Sequence, residues 1–305
     1  MSDDKAANLM RRATRAAMMV ASFLLVAKGY AWWKSGSIAM QGSFADSALD
    51  LAASLVTFMA VKTALEPADD SHRFGHGKAE ALAGLFQAAI MSGSAVYLLL
   101  EAVSRLWQPV PVAASGLVIS ISALAIVLSL VLVMFQSYVV KQTGSLAIAG
   151  DHLHYKGDLL LNLGVIAAAY IGARGYLYAD GVFGVLIAFY ILWGAKGIVG
   201  PAIDMLMDRE FSDDDRETIA NLALGNAAVF GLHDLKTRAS GRSSFIQMHL
   251  EVDGKITVQE GHAISDEVEA TIGEQFPGAE ILIHIDPPTA LSADLTINEL
   301  KKYED

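Results

Sequence analysis

Six mostly apolar stretches of twenty or more residues fill the first two-thirds of the chain, near residues 13–33, 38–61, 80–104, 114–139, 147–171 and 178–203. About 20 apolar residues suffice for a helix to cross the hydrocarbon core of a bilayer. At that depth the backbone must satisfy its own hydrogen bonds, so a spanning chain is restricted to helices or a closed barrel. Continuous runs of this length read as helices, and the sequence predicts an all-α, six-helix transmembrane domain over residues 1–208. An even number of spans puts both termini on one side. Lys5, Arg11, Arg12 and Arg15, with Arg73 and Lys78 between the second and third runs, assign that side to the cytoplasm. The opposite loops carry little more than Lys34, Arg105 and Arg174.

Composition agrees with a lipid bilayer as the surroundings, since 53% of the 305 residues are hydrophobic. There is no cysteine, so disulfides and thiolate metal sites are excluded, and any metal must be held by nitrogen and oxygen donors. The net charge of −11 is informative once divided: from Arg209 onward there are 8 Lys and Arg against 19 Asp and Glu, which leaves 14 of each before it. An acidic tail behind a neutral apolar front implies a soluble domain attached to a membrane domain, and argues against nucleic-acid binding. The first apolar run is long enough to span and has no convincing small-residue cleavage site, so no cleavable signal peptide is expected.

Within the tail, Ser212 followed by Asp213, Asp214 and Asp215 predicts a capped helix through about Asn226. Strands are expected near 232–239 and 244–252, joined by a turn at Ser240, Gly241 and Arg242. A helix near 258–276 and a strand near 279–286 complete an α-β-β-α-β order. That order suits a small α+β cytoplasmic domain over residues 209–290, an antiparallel-type sheet with helices on one face. Residues 291–305 read as a polar tail.

Three groups of residues can carry chemistry. The first comprises Asp46 and Asp50 in the second apolar run and His154 and Asp158 in the fifth, each pair spaced i, i+4 and so stacked on one helix face. A carboxylate at the centre of a membrane helix costs roughly 2.5–3.5 kcal/mol or more. Three converging carboxylates without a cation repel one another, whereas one imidazole and three carboxylate oxygens can wrap Zn²⁺ tetrahedrally. A site filled by four protein ligands has no open position for catalytic water, which favours binding or transport over hydrolysis. No H-E-x-x-H occurs either, so no enzyme activity is expected. Asp151 falls on the same face one turn before His154 and reads equally as an entrance-lining residue or a solvated helix-end carboxylate. His152 and Lys156 point roughly 200 degrees away from His154.

The second group is Asp69, His72 and His76, which can converge in a glycine-containing loop between the second and third runs. A short His-rich loop binds metal in some proteins and is merely polar in others. The third lies in the tail and comprises His233, His249, His262, His284 and Asp286. Period two buries Ile281, Ile283 and Ile285 and, in the neighbouring strand, Ile246, Met248, Leu250 and Val252. His249, His284 and Asp286 then share the uncovered sheet face, and scattered surface histidines are the alternative.

Taken together, SGSIAMQGSFADSALDLAAS, HRFGHGKAEALAGL, DHLHYKGDLLLN and YADGVFGVLIAFYI resemble stretches of the cation diffusion facilitators, in particular the bacterial zinc and ferrous-iron efflux branch. The resemblance covers roughly Arg12 to Pro287. It implies a homodimeric antiporter of the bacterial inner membrane that exports Zn²⁺, or Fe²⁺ or Cd²⁺, in exchange for protons. It assigns transport to Asp46, Asp50, His154 and Asp158, and a further metal site to Asp69, His72 and His76. It also implies a ferredoxin-like, metallochaperone-type tail with a binuclear zinc site at His233, His249, His262, His284 and Asp286, Asp286 bridging the ions. Lys78 and Asp208 match an interlocking salt bridge where protomers meet. Because ligands must be deprotonated to bind metal, protons and Zn²⁺ compete for the transport site. A membrane-bound metal sensor or assembly protein without transport is the alternative function.

Overall fold

The computed structural model describes residues 3–35, 38–108, 116–172, 174–176 and 178–288. Two compact units divide the chain, Met1–Ile203 and Asp204–Asp305. The first is built on long helices: α1 (Asp3–Ser35), α2 (Ile38–Ala64), α3 (Ala79–Trp107), α4 (Gly116–Thr143), α5 (Leu146–Gly172) and α6 (Ala179–Leu206). Each apolar run coincides with one of them to within a few residues, except that α1 starts ten residues before its run. The extra turns are amphipathic. Ala6, Met10 and Ala13 are buried, and Met10 and Ala13 pack with Val61, Ala83, Val139, Ala147 and Ile148, while Arg11 and Arg12 stay exposed. Tertiary packing thus extends the helix back beyond the point where the apolar run begins.

Five of the described helices are long and apolar enough to cross a membrane. The exception among the long ones is α5, which carries Asp151, His152, His154, Lys156 and Asp158. The outer faces remain apolar, with Val26, Tyr97, Met134 and Trp193 all largely exposed. Small residues let the helices close up. A Cβ on Gly184 would lie 2.7 Å from Ala102 Cβ, and one on Gly181 would lie 2.9 Å from the Ala102 carbonyl oxygen. Gly184→Val is expected to destabilise the protein by roughly 1–3 kcal/mol through overpacking. Thermal unfolding in detergent measures this, with Gly197→Ala as control, because a Cβ there meets nothing within 4 Å.

The second unit contains α7 (Asp213–Leu224), β1 (Gly231–Ser240), β2 (Ser243–Glu251), α8 (Val258–Gln275) and β3 (Glu280–Asp286). Ser212 caps α7 by accepting from the Asp215 amide. Thr257 and Glu260 form a reciprocal capping box at α8 that the sequence reading passed over. Strands β1 and β2 pair antiparallel through a tight turn with Gly241 at φ 61°. Strands β2 and β3 pair parallel, so the sheet is mixed rather than antiparallel in type. The physical reason is α8: a helix between two neighbouring strands returns the chain to the same end of the sheet. The core forms where Ile219 and Ala223 of α7 and Val268 and Ile272 of α8 meet Ile246, Met248 and Leu250 of β2. Residues 291–305, expected as a polar tail, lie outside the described residues.

Candidate functional site

Helices α2 and α5 bring Asp50, His154 and Asp158 together. His154 Nε2 lies 2.9 Å from Asp50 Oδ1 and 3.6 Å from Asp158 Oδ2, and one donor atom from each residue falls within 4.8 Å of the others. The imidazole is about 10% exposed. Its other nitrogen, Nδ1, is 3.0 Å from Met91 Sδ on α3, so the ring is held from both ends. Gly157 leaves room for Met91 here, since a Cβ at that position would crowd Met91 Cε at 3.1 Å. Asp46, one turn before Asp50, is exposed and stands outside the three-residue cluster. Two residues near the cluster escaped the sequence reading. Met91 gave no signal of its own, and Lys28, a cation inside the first apolar run, interacts electrostatically with Asp46 and Asp158.

Asp151 is not a solvated helix-end carboxylate and does not line an open entrance. It is 1% exposed and accepts hydrogen bonds from Ser54 and Gln136. His152 and Lys156 stay away from the cluster, Lys156 Nζ lying 5.2 Å from the centroid of the Tyr190 ring.

In the loop after α2, Asp69 anchors a turn by accepting from the backbone amides of Ser71 at 2.8 Å and His72 at 2.6 Å. The His72 amide, more than any other group, holds the Asp69 carboxyl below its usual range. His72 Nδ1 and His76 Nε2 each come within 3.4 Å of an Asp69 oxygen. Gly75, at φ +75°, supplies the left-handed residue that the turn requires. Here three potential ligands meet within eight residues.

Strand register builds the third group. His233, His249 and His284 stand directly opposite one another across β1, β2 and β3, with ring centroids 5.0 and 4.7 Å apart. Asp286 Oδ2 lies 2.8 Å from His249 Nδ1 and 3.5 Å from His233 Nε2, while Oδ1 lies 3.3 Å from His284 Nε2. The His249 hydrogen bond is the main reason that the Asp286 carboxyl sits below its usual range. His262 does not join this group. It projects from α8 and pairs with Asp266 at 3.6 Å. Glu251 was missed by the sequence reading, although it follows His249 by two on the same strand face. It is buried, 3.6 Å from His233 Nδ1, and closely packed on Gly231, where a Cβ would lie 2.9 Å from its carboxylate.

Lys78 sits at the cap position before α3. Asp208, in a left-handed conformation at φ 55°, lies 3.4 Å from an Arg238 nitrogen.

Residues 14–207 match the family model described as cation efflux transmembrane domain, and residues 211–288 match that of the cation efflux protein cytoplasmic domain. The chain is 42% identical over 285 residues to the cation-efflux pump FieF of Yersinia enterocolitica, covering 93% of this chain and 95% of that one. It is 40% identical over 285 residues to FieF of Klebsiella pneumoniae, with the same coverage. Among solved structures, the metal-bound C-terminal domain of the CzcD transporter from Thermotoga maritima is 25% identical, with a TM-score of 0.25, over 26% of this chain and 93% of that one. These relatives are pumps and transporters rather than enzymes. With both family models matched in order and the similarity running almost end to end, the chain belongs to the cation efflux family, the cation diffusion facilitators.

Proposed function

We propose that this protein exports Zn²⁺, with Fe²⁺ and Cd²⁺ as further substrates, from the cytoplasm in exchange for protons. The observation that carries the reading is the meeting of Asp50, His154 and Asp158 between two long helices of the first unit. Ionisable groups at such a place are costly and are usually functional. In this reading α5 also crosses the bilayer and brings the spans to six, with Asp151, His154 and Asp158 turned inward, and both termini face the cytoplasm across a bacterial inner membrane. Asp46 supplies the fourth ligand by a small movement of α2. Metal requires neutral His154 and ionised carboxylates, so protons displace it, and a site open to each side in turn couples the proton gradient to export.

The remaining groups complete the scheme. Asp69, His72 and His76 bind metal at the loop. The tail holds two zinc ions in a homodimer. Asp286 serves as the bridging ligand, a role supported by its two oxygens facing different histidines. His262 joins from α8, and Lys78 and Asp208 interlock the protomers. The test is metal flux into proteoliposomes under an imposed pH gradient, across Zn²⁺, Fe²⁺, Cd²⁺, Co²⁺ and Mn²⁺, with Asp158→Ala as control. Gradient-dependent zinc flux that Asp158→Ala lacks is expected; metal binding without flux would leave a sensor or assembly protein instead. Metal affinity of the transport site is also expected to rise with pH, by up to about tenfold per pH unit for each proton displaced. Calorimetric titration at several pH values reads this, and a flat profile would refute proton competition.

A further inference from the structure

A second polar layer lies one helical turn from the metal cluster, on the same two helices. Ser54 follows Asp50 by four residues on α2, and on α5 Asp151 and Tyr155 lie on either side of His154 in sequence. Ser54 Oγ donates to Asp151 Oδ1 at 3.2 Å and meets the Tyr155 hydroxyl at 2.9 Å. From α4, Gln136 Nε2 donates to Asp151 Oδ2 at 2.6 Å. The Tyr155 hydroxyl also reaches the Ala17 carbonyl of α1 at 3.3 Å. None of Ser54, Gln136, Asp151 and Tyr155 is more than 1% exposed. A single carboxylate therefore ties α5 to α2 and α4, and Tyr155 extends the tie to α1.

Such a tie differs from apolar packing. Apolar side chains can slide past one another with small losses, whereas a buried carboxylate that loses its donors keeps the whole cost of desolvation. Rotating α5 by one residue, about 100°, would break the hydrogen bonds of Asp151 and the approach of His154 to Asp50 together. We propose that Asp151 is a positioning residue for cation transport: clamped by Ser54 and Gln136, it sets the rotation of α5 against α2 and thereby the His154 to Asp50 distance, without itself binding metal. The proposal rests on the reading of Asp50, His154 and Asp158 as the transport site.

Gln136 suggests the decisive variant, because its Oε1 is buried with no hydrogen-bond partner among the described residues. In Asp151→Asn the new carbonyl accepts from Ser54, and the new amide donates to Gln136 once that side chain turns its oxygen inward. Asparagine thus rebuilds both hydrogen bonds without the charge, and alanine rebuilds neither. In proteoliposomes loaded with full-length protein, Asp151→Ala is expected to raise the KM for Zn²⁺ by 10–100-fold, the range found when groups that orient metal ligands are removed. Asp151→Asn should stay near the wild-type KM. A wild-type KM in Asp151→Ala, or an equal loss in both variants, overturns the proposal; the second result would assign the role to charge. Should Asp151→Ala fail to fold, Ser54→Ala removes only the α2 end of the clamp and must still raise KM, an unchanged value again overturning it. Asp50→Ala is measured alongside: normal flux there defeats the transport-site reading, whereas its loss with an unaffected Asp151→Ala defeats only the positioning role.

Discussion

Asp50→Ala is expected to reduce metal flux by at least about 100-fold while the protein remains folded and keeps the oligomeric state of the wild type. Asp50 is the one α2 carboxylate within reach of His154 Nε2, at 2.9 Å. Without it the remaining pair of the cluster, His154 and Asp158, belongs to a single helix, and only Asp46, which stands outside the cluster, is left on α2 to link that helix to α5. A structural zinc site is worth roughly 10–16 kcal/mol. An equal share for one of four ligands is then about 2.5–4 kcal/mol, or on the order of a hundredfold in affinity. Stability should not follow the same course, because removing a carboxylate from a membrane helix relieves a cost of roughly 2.5–3.5 kcal/mol. Flux assays paired with thermal unfolding and size-exclusion chromatography separate the two effects. Asp46→Ala should be milder, about tenfold, since Asp46 stands outside the cluster and must move to bind. Normal flux in Asp50→Ala would remove the assignment.

Asp286→Ala is expected to strip metal from the tail unit, again with a loss in affinity on the order of a hundredfold or more by the same share of a structural zinc site. One carboxylate serves His249, His233 and His284 at once, so its removal damages every metal that these rings hold. Equilibrium dialysis of full-length protein against zinc, with the transport site disabled by Asp50→Ala in both samples, reads the effect. Retention of wild-type zinc content would show that the histidine row binds without Asp286. The pH dependence of the metal-free protein has a definite sign. The Asp286 carboxyl is held below its usual range, first by His249, so its contacts favour the folded state above about pH 4, the ordinary carboxylate value. That contribution fades as pH falls through the lowered folded value. It is modest, since the group is partly open to water.

Much of the molecule is legible in its sequence. The apolar runs foretold the long helices because backbone in hydrocarbon has few alternatives. Period two separated Ile246, Met248 and Leu250 from His249, and the strands obey it. Spacing of four placed His154 with Asp158. It could not show that Asp46 stands apart while Asp50 closes on His154, because both lie on one face of α2 and the difference is one turn of depth against α5. Nor could it show that Asp151 is buried. A carboxylate near a helix end reads as solvated until the donors Ser54 and Gln136, 97 and 15 residues away in the chain, are seen beside it.

The sequence alone therefore determined periodicity: which stretches are helices of spanning length, which strand faces are apolar, and which ligand types are available without cysteine. These follow from local spacing and from the solvent each segment must face. The tertiary structure decided register and depth: the row of three histidines across β1, β2 and β3, the parallel pairing that α8 imposes, the place of His262 on α8 beside Asp266, and the lock of α5 on α2. Each depends on how two distant segments are rotated and shifted against each other. Such offsets are set by the sum of many packing contacts and a few buried hydrogen bonds, and no local pattern in either segment encodes them.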